Sequence, residues 1–112
     1  MRCKPMVRLL CPAWLLGLTI CPLPTVAAET IRIRIEDLAY TPQHVAAHVG
    51  DAVEWTSRDY VAHTATARNR EWDVVIPAGG IGRVMLTHAG KVEYYCRYHP
   101  NMQGSISVAA PP

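Results

Sequence analysis

The sequence is poor in three features, and each scarcity excludes a common class of protein. After residue 28 it has a single cysteine, Cys96, so that part of the chain cannot hold a disulfide framework of its own. The same part carries eight Lys and Arg against nine Asp and Glu, and therefore lacks the basic surface that nucleic-acid binding requires. No apolar run reaches the roughly 20 residues that a membrane-spanning helix needs.

The first 28 residues are predicted to be a secretory signal peptide. Basic residues open the segment, an apolar stretch (9–20) of about a dozen residues follows, and the small residues at 26–28 fit cleavage before Glu29. We expect export to a bacterial periplasm, where a lone thiol is a liability unless something occupies it. The alternative is a lipoprotein acylated at Cys21, which the bulky Ile20 disfavours. Residues 29–112 then form one small domain, expected to be a monomer.

Residues 29–112 also lack a sustained 3.6-residue apolar period, so no helix is predicted there. Apolar and polar residues alternate instead, in short segments separated by turns rich in Gly and Pro. The predicted strands are 31–35, 45–49, 53–55, 61–66, 72–76, 83–86, 92–95 and 104–108. Seven or eight short antiparallel strands predict an all-β sandwich of two sheets. Trp55, Trp72 and Met85 are predicted to lie in its core.

Four side chains form a candidate metal site. Cys96, His99 and Met102 follow the spacing Cys-x2-His-x2-Met in the loop between the last two predicted strands, and His63 lies near the start of an earlier strand. One thiolate, two imidazoles and a weak thioether make up the ligand set of a blue-copper site. Loops at one end of a sandwich can bring such residues together, so we predict that these four bind one copper ion.

Other readings of the same residues are less favoured. Cys96 and Met102 could simply fill space in the core, where both residue types pack well, but the histidine at fixed spacing between them favours ligands. A structural zinc site would accept the cysteine and both histidines, whereas methionine is a poor zinc ligand. No catalytic dyad or additional copper site is evident, so the chain is not expected to be an enzyme.

Several segments resemble the cupredoxin family, and most of all its amicyanin and plastocyanin-like members. Val49–Trp55 is similar to a V-G-D-x-V-x-W strand pair, and His63 falls where the first histidine ligand of that family belongs. Ala89–Cys96 resembles the approach to the thiolate, and Gly104–Val108 resembles the closing strand. The short Cys-x2-His-x2-Met loop is the amicyanin form. Thr64 differs, because amicyanins have at this position an Asn that helps to tie the ligand loops together.

The resemblance implies a Greek-key β-sandwich that binds one type 1 copper ion. His63, Cys96 and His99 would be its equatorial ligands and Met102 its axial ligand. It further implies a soluble one-electron carrier that cycles between Cu(II) and Cu(I). The partners would be redox proteins such as a c-type cytochrome or a periplasmic dehydrogenase. The alternative is a periplasmic copper-binding or copper-delivery protein that uses the same ligands.

Overall fold

The computed structural model describes residues 2–3, 12–23 and 27–112. Parts of the predicted leader, including Lys4, Arg8 and Val26, lie outside the described residues. Residues 12–23 contain no helix or strand, and their large apolar side chains are exposed, among them Leu15 and Leu16. No helix within the described ranges is long and apolar enough to cross a membrane.

Nine strands form two sheets across residues 30–109. They are β1 (Thr30–Glu36), β2 (Ala39–Thr41), β3 (His44–His48), β4 (Ala52–Ser57), β5 (His63–Ala67), β6 (Asp73–Ile76), β7 (Ile81–Met85), β8 (Gly90–Tyr95) and β9 (Gln103–Ala109). The first sheet has the order β2-β1-β4-β7, and the second has the order β3-β9-β8-β5-β6. The predicted all-β, two-sheet sandwich is confirmed. The strand beyond the expected seven or eight is β2, which at three residues is too short to show an alternating pattern.

Two of the strand pairs are parallel, although the sequence pattern was interpreted as wholly antiparallel. Strand β1 pairs with β4 in parallel, and β3 pairs in parallel with β9. The antiparallel prediction is wrong at these two places because inward and outward side chains alternate in the same way in both kinds of pair. The chain therefore crosses repeatedly between the sheets, and β9 lies between β3 and β8.

Aromatic side chains fill the middle of the sandwich. Trp55 and Tyr94 are fully buried, their ring centroids are 5.5 Å apart, and the Tyr40 ring lies 4.7 Å from that of Tyr94. Burial raises the pKa of Tyr94 to about 12. The core positions of Trp55 and of Trp72, which is partly buried against this cluster, agree with the prediction. Such edge-to-face contacts hold the rings in fixed orientations.

Met85 is not in the core. Its side chain is 64% exposed, because Gly82 and Val84 occupy the inward phase of β7 and leave Met85 on the outer face. The prediction was wrong about the phase of this strand, since an alternating segment with a central glycine can be assigned either way.

Candidate metal centre

Three of the four predicted donors meet at one end of the sandwich. The Sγ atom of Cys96 lies 3.8 Å from Nδ1 of His63 and 3.7 Å from Nδ1 of His99. The donor atoms of these three side chains all lie within 4.8 Å of one another. His63 begins β5, and Cys96 directly follows the neighbouring strand β8, so the pairing of β5 with β8 brings them together.

These distances fit one metal ion shared by the three donors. Bonds from a first-row ion to sulfur and to imidazole nitrogen measure roughly 2.3 Å and 2.0 Å, as they do for zinc. Three such bonds at about 120° would hold the sulfur about 3.7 Å from each nitrogen, whereas a tetrahedral angle would bring them to about 3.5 Å. The observed separations of 3.8 and 3.7 Å lie close to both values, and all three donor atoms lie within 4.8 Å of one another. One thiolate with two imidazoles is the equatorial donor set of His2Cys copper sites.

The ligand loop is closed by its own backbone, and Met102 lies inside it. The Cys96 amide donates to the Met102 carbonyl at 3.1 Å, and the Met102 amide donates to the His99 carbonyl at 2.8 Å. The Met102 side chain is 3% exposed and belongs to the hydrophobic core. The loop thus holds Met102 in the buried interior, while His99 is only half-buried.

Asp59 orients the His63 ring, a role that the sequence analysis missed. Its Oδ2 lies 2.8 Å from Nε2 of His63. An ionised carboxylate only accepts hydrogen bonds, so Nε2 must carry the proton, and Nδ1 is left free to face the Cys96 sulfur. Carboxylate partners of this kind fix the tautomer and orientation of metal-binding histidines.

The same carboxylate stabilises the tight turn between β1 and β2. Asp37 and Leu38 both have positive φ angles (51° and 59°), a conformation that is unfavourable for residues other than glycine. Their amides donate to Oδ1 and Oδ2 of Asp59 at 2.8 and 3.1 Å. Partial burial tends to raise the pKa of Asp59, but hydrogen bonds from Leu38, His63 and Asp37 outweigh that effect and lower it. Asp59 is therefore ionised at neutral pH.

Thr64 links the two halves of the site. Its amide donates to Sγ of Cys96 at 3.3 Å, and its Oγ1 accepts the amide of Arg97 at 2.8 Å. The Tyr40 hydroxyl donates to the Thr64 carbonyl. In this chain Thr64 thus makes contacts between the ligand segments, the role that the resemblance assigns to an asparagine in amicyanins.

Replacing Asp59 by Asn is expected to weaken copper binding by about 10- to 100-fold. The asparagine side chain carries no charge and has one acceptor oxygen, so it cannot accept hydrogen bonds from His63 and from both turn amides as the carboxylate does. Competition with a chelator of known copper affinity would measure the change. The matched control is Asp37→Asn, which removes an exposed carboxylate while leaving in place the backbone amide that donates to Asp59. Equal affinities of the two variants would contradict the role given to Asp59.

Comparison with known proteins gives a family and several related structures. A model of the cupredoxin-like domain matches residues 9–108. A reduced Cu(I) form of an amicyanin variant at pH 4 is 27% identical, with a TM-score of 0.63, over 74% of this chain and 85% of that one. The oxidised state of another amicyanin variant is 26% identical, with the same TM-score and coverage. No curated protein matches the chain.

The family match agrees with the donor chemistry of the cluster. Thiolate and imidazole donors fit copper, and the family match together with His63, Cys96 and His99 supports one type 1 copper ion as the cofactor. The two-sheet fold and the matched span of 100 residues lead to the same assignment. The chain belongs to the cupredoxin-like domain family.

Proposed function

We propose that this protein is a periplasmic type 1 copper protein that carries single electrons between redox partners. The observation that supports this most strongly is the placement of the Cys96 sulfur 3.8 and 3.7 Å from the two imidazole nitrogens. In this proposal His63, Cys96 and His99 are the equatorial ligands and Met102 is the axial one. Copper, when bound, supplies the one-electron couple.

The surroundings of the donors suit rapid electron transfer. His63 and Cys96 are fully buried, and Asp59 and Thr64 hold them in place by hydrogen bonds. Donors that are fixed before the ion changes its charge need little rearrangement, which keeps the barrier to transfer low. A delivery protein would instead need donors that can open to release the ion.

A shallow apolar hollow beside His99 is the proposed contact for the partner protein. It has a volume of about 270 Å³ and is lined by Leu38, His99, Pro100, Asn101 and Met102. Leu38 is 49% exposed and stands there because the strained turn of β1 and β2 presents it. A half-buried imidazole edge in such a hollow allows close approach by a c-type cytochrome or a periplasmic dehydrogenase.

Loading the copper-free protein with Cu(II) tests the proposal. An electron carrier should bind one ion, show an intense blue absorption and give a reversible one-electron wave in voltammetry. It should also keep its copper when a chelator of moderate affinity is added. Rapid loss of the ion to that chelator, without a reversible wave, would favour the copper-delivery alternative and refute the carrier.

We also propose that residues 1–28 are a leader and that 29–112 form the mature domain. The first strand begins at Thr30, and the Glu29 nitrogen donates to Oδ1 of Asp51 at 2.9 Å. Cleavage after Ala28 would turn that nitrogen into a charged amino group facing a carboxylate, which strengthens the hydrogen bond. Cleavage would therefore fix the new N-terminus at the start of β1.

Asp51→Asn is expected to lower the melting temperature of the 29–112 protein by several degrees at neutral pH. Hydrogen bonds from the amides of Glu29 and His48 hold the pKa of Asp51 below its usual value. A lowered pKa means that the stabilisation is complete above the usual carboxyl value of 3.8 and is lost as the pH falls through the folded value. The difference between the two proteins should therefore vanish in strong acid. Glu71→Gln, which removes an exposed charge, is the control, and melting temperatures that differ equally at all pH values would contradict the expectation.

A further inference from the structure

A closed ring of hydrogen bonds lies beside the ligand loop on the outer face of the second sheet. The Arg97 amide donates to Oγ1 of Thr64 at 2.8 Å, and that oxygen lies 3.0 Å from Oγ1 of Thr66. The Thr66 hydroxyl donates to Oδ1 of Asp73 at 2.7 Å. The same Oδ1 accepts from Nε of Arg97 at 3.2 Å, which returns the ring to its first residue.

The direction of every hydrogen in this ring is determined. A carboxylate can only accept, so the single hydroxyl hydrogen of Thr66 must point to Asp73. Thr66 then has none to give to Thr64, and the Thr64 hydroxyl must donate to Thr66. Each hydroxyl thus accepts one bond and donates the next, an arrangement in which neighbouring bonds polarise and strengthen one another.

The ring ends on the copper-binding segment. Thr64 adjoins His63 in sequence, and its own amide donates to the Cys96 sulfur at 3.3 Å. Arg97 directly follows Cys96. The hydrogen bond from the Arg97 amide to the Thr64 hydroxyl therefore fixes the backbone directly after Cys96. It fixes the position of Thr64 at the same time.

We propose that Asp73 is a positioning residue for the copper site, which it reaches through Thr66 and Thr64. This inference rests on the proposed function, because what is positioned is the Cys96 end of the ligand loop. Asp73 lies on β6, apart in sequence from all four donors, and makes no hydrogen bond with any of them in the described part of the chain.

The charge of Asp73 suits this role. Hydrogen bonds from Thr66 and Arg97 lower the pKa of Asp73, so it stays ionised at neutral pH and holds both donors. Its side chain is 50% exposed, and that of Arg97 is 38% exposed. An ion pair at such exposure adds little stability by itself, so fixing the loop is the more substantial effect.

Thr66→Val is the sharpest test, because valine keeps the branched shape, removes the hydroxyl and leaves the Asp73 charge in place. The matched control is Thr56→Val, at a half-buried position of β4 in the other sheet with no side-chain hydrogen bond among the described residues. In the copper-free protein, the Arg97 amide should exchange with deuterium about tenfold faster in Thr66→Val than in the control. With copper bound, the reduction potential and the visible band should shift in Thr66→Val only. Thr66→Ser should restore both properties.

Two results would overturn the proposal. One is an Arg97 exchange rate in Thr66→Val within about twofold of the Thr56→Val rate, which would show that the ring does not hold this amide. The other is faster exchange with an unchanged potential and band, which would limit the ring to local stability. The measurement of hydrogen–deuterium exchange needs no bound copper. A protein that bound none would therefore refute the proposed function, while the exchange measurement would still decide whether the Thr66 link from Asp73 fixes the loop.

Discussion

Replacing Cys96 by Ser should abolish the blue absorption and the reversible one-electron wave of the copper-loaded protein. Serine nearly matches the volume of cysteine, but its hydroxyl keeps its proton at neutral pH and is a hard donor that suits Cu(I) poorly. The variant would keep both imidazoles but lose the sulfur atom, which in the unchanged protein lies 3.8 and 3.7 Å from their Nδ1 atoms. The loss of copper affinity should exceed the roughly 10- to 100-fold that removal of an outer partner causes.

The control for this experiment is Asn101→Ser, an exposed position in the same loop. It should keep the colour and the voltammetric wave. Circular dichroism of the copper-free Cys96→Ser protein should show an intact sandwich, because the core aromatic cluster is untouched. A Cys96→Ser protein that was still blue and redox-active would refute the assignment of Cys96 as a copper ligand.

Gly104→Ala should lower the free energy of unfolding by about 2 to 3 kcal/mol. A Cβ atom at this position would lie 2.5 Å from Cζ and Oη of Tyr94, well inside van der Waals contact. Tyr94 stands opposite Gly104 in the register of β8 and β9, and the rings of Tyr40, Trp55 and Trp72 surround it. The ring cannot move aside without displacing its aromatic neighbours, so the strain must be absorbed by the backbone of β9.

Chemical denaturation of Gly104→Ala and of Ser107→Ala would measure this effect. Ser107 is an exposed position on the same strand, so alanine there should change the stability by no more than about 0.5 kcal/mol. Equal stabilities of the two variants would contradict the close approach of Tyr94 to Gly104. Because Tyr94 is followed by Tyr95 and then Cys96, the Gly104 variant should also shift the visible band.

The fold class could be predicted from the sequence because period-two alternation marks a half-buried strand wherever it occurs. Parallel and antiparallel pairing leave the same alternation, so the β1–β4 and β3–β9 pairs were assigned wrongly. Met85 was misplaced because its strand has Gly82 on the inward face, where no side chain marks the phase. Strand β2 was missed because its three residues are too few to show an alternating pattern.

The sequence predicted the cysteine and both histidines that the fold brings together, but not the residues that support them. Cys96 and His99 share one short motif with Met102, whose role as a ligand stays a prediction, and His63 is marked by its strand context. Asp59 contacts His63 and also accepts a hydrogen bond from the amide of Asp37, which is 22 residues earlier in the chain. Only the folded chain brings these groups together. An acidic residue four positions before His63 is a signal that could have been noticed. Thr66 and Asp73 look like ordinary polar residues on the outward phase of their strands.

The place of β9 in the sheet has a consequence for how the protein is made. Gln103–Ala109 is the last strand of the described structure, yet it lies between β3 and β8, and its Ser105 meets His44, which is 61 residues earlier in the chain. Contacts across such separations form late and slowly in folding. The four predicted donors therefore all precede in sequence the strand that completes their sheet. A chain that lacked Gln103–Ala109 would carry all four and still miss the strand that pairs with both β3 and β8, so we expect it not to hold the ion in a closed site.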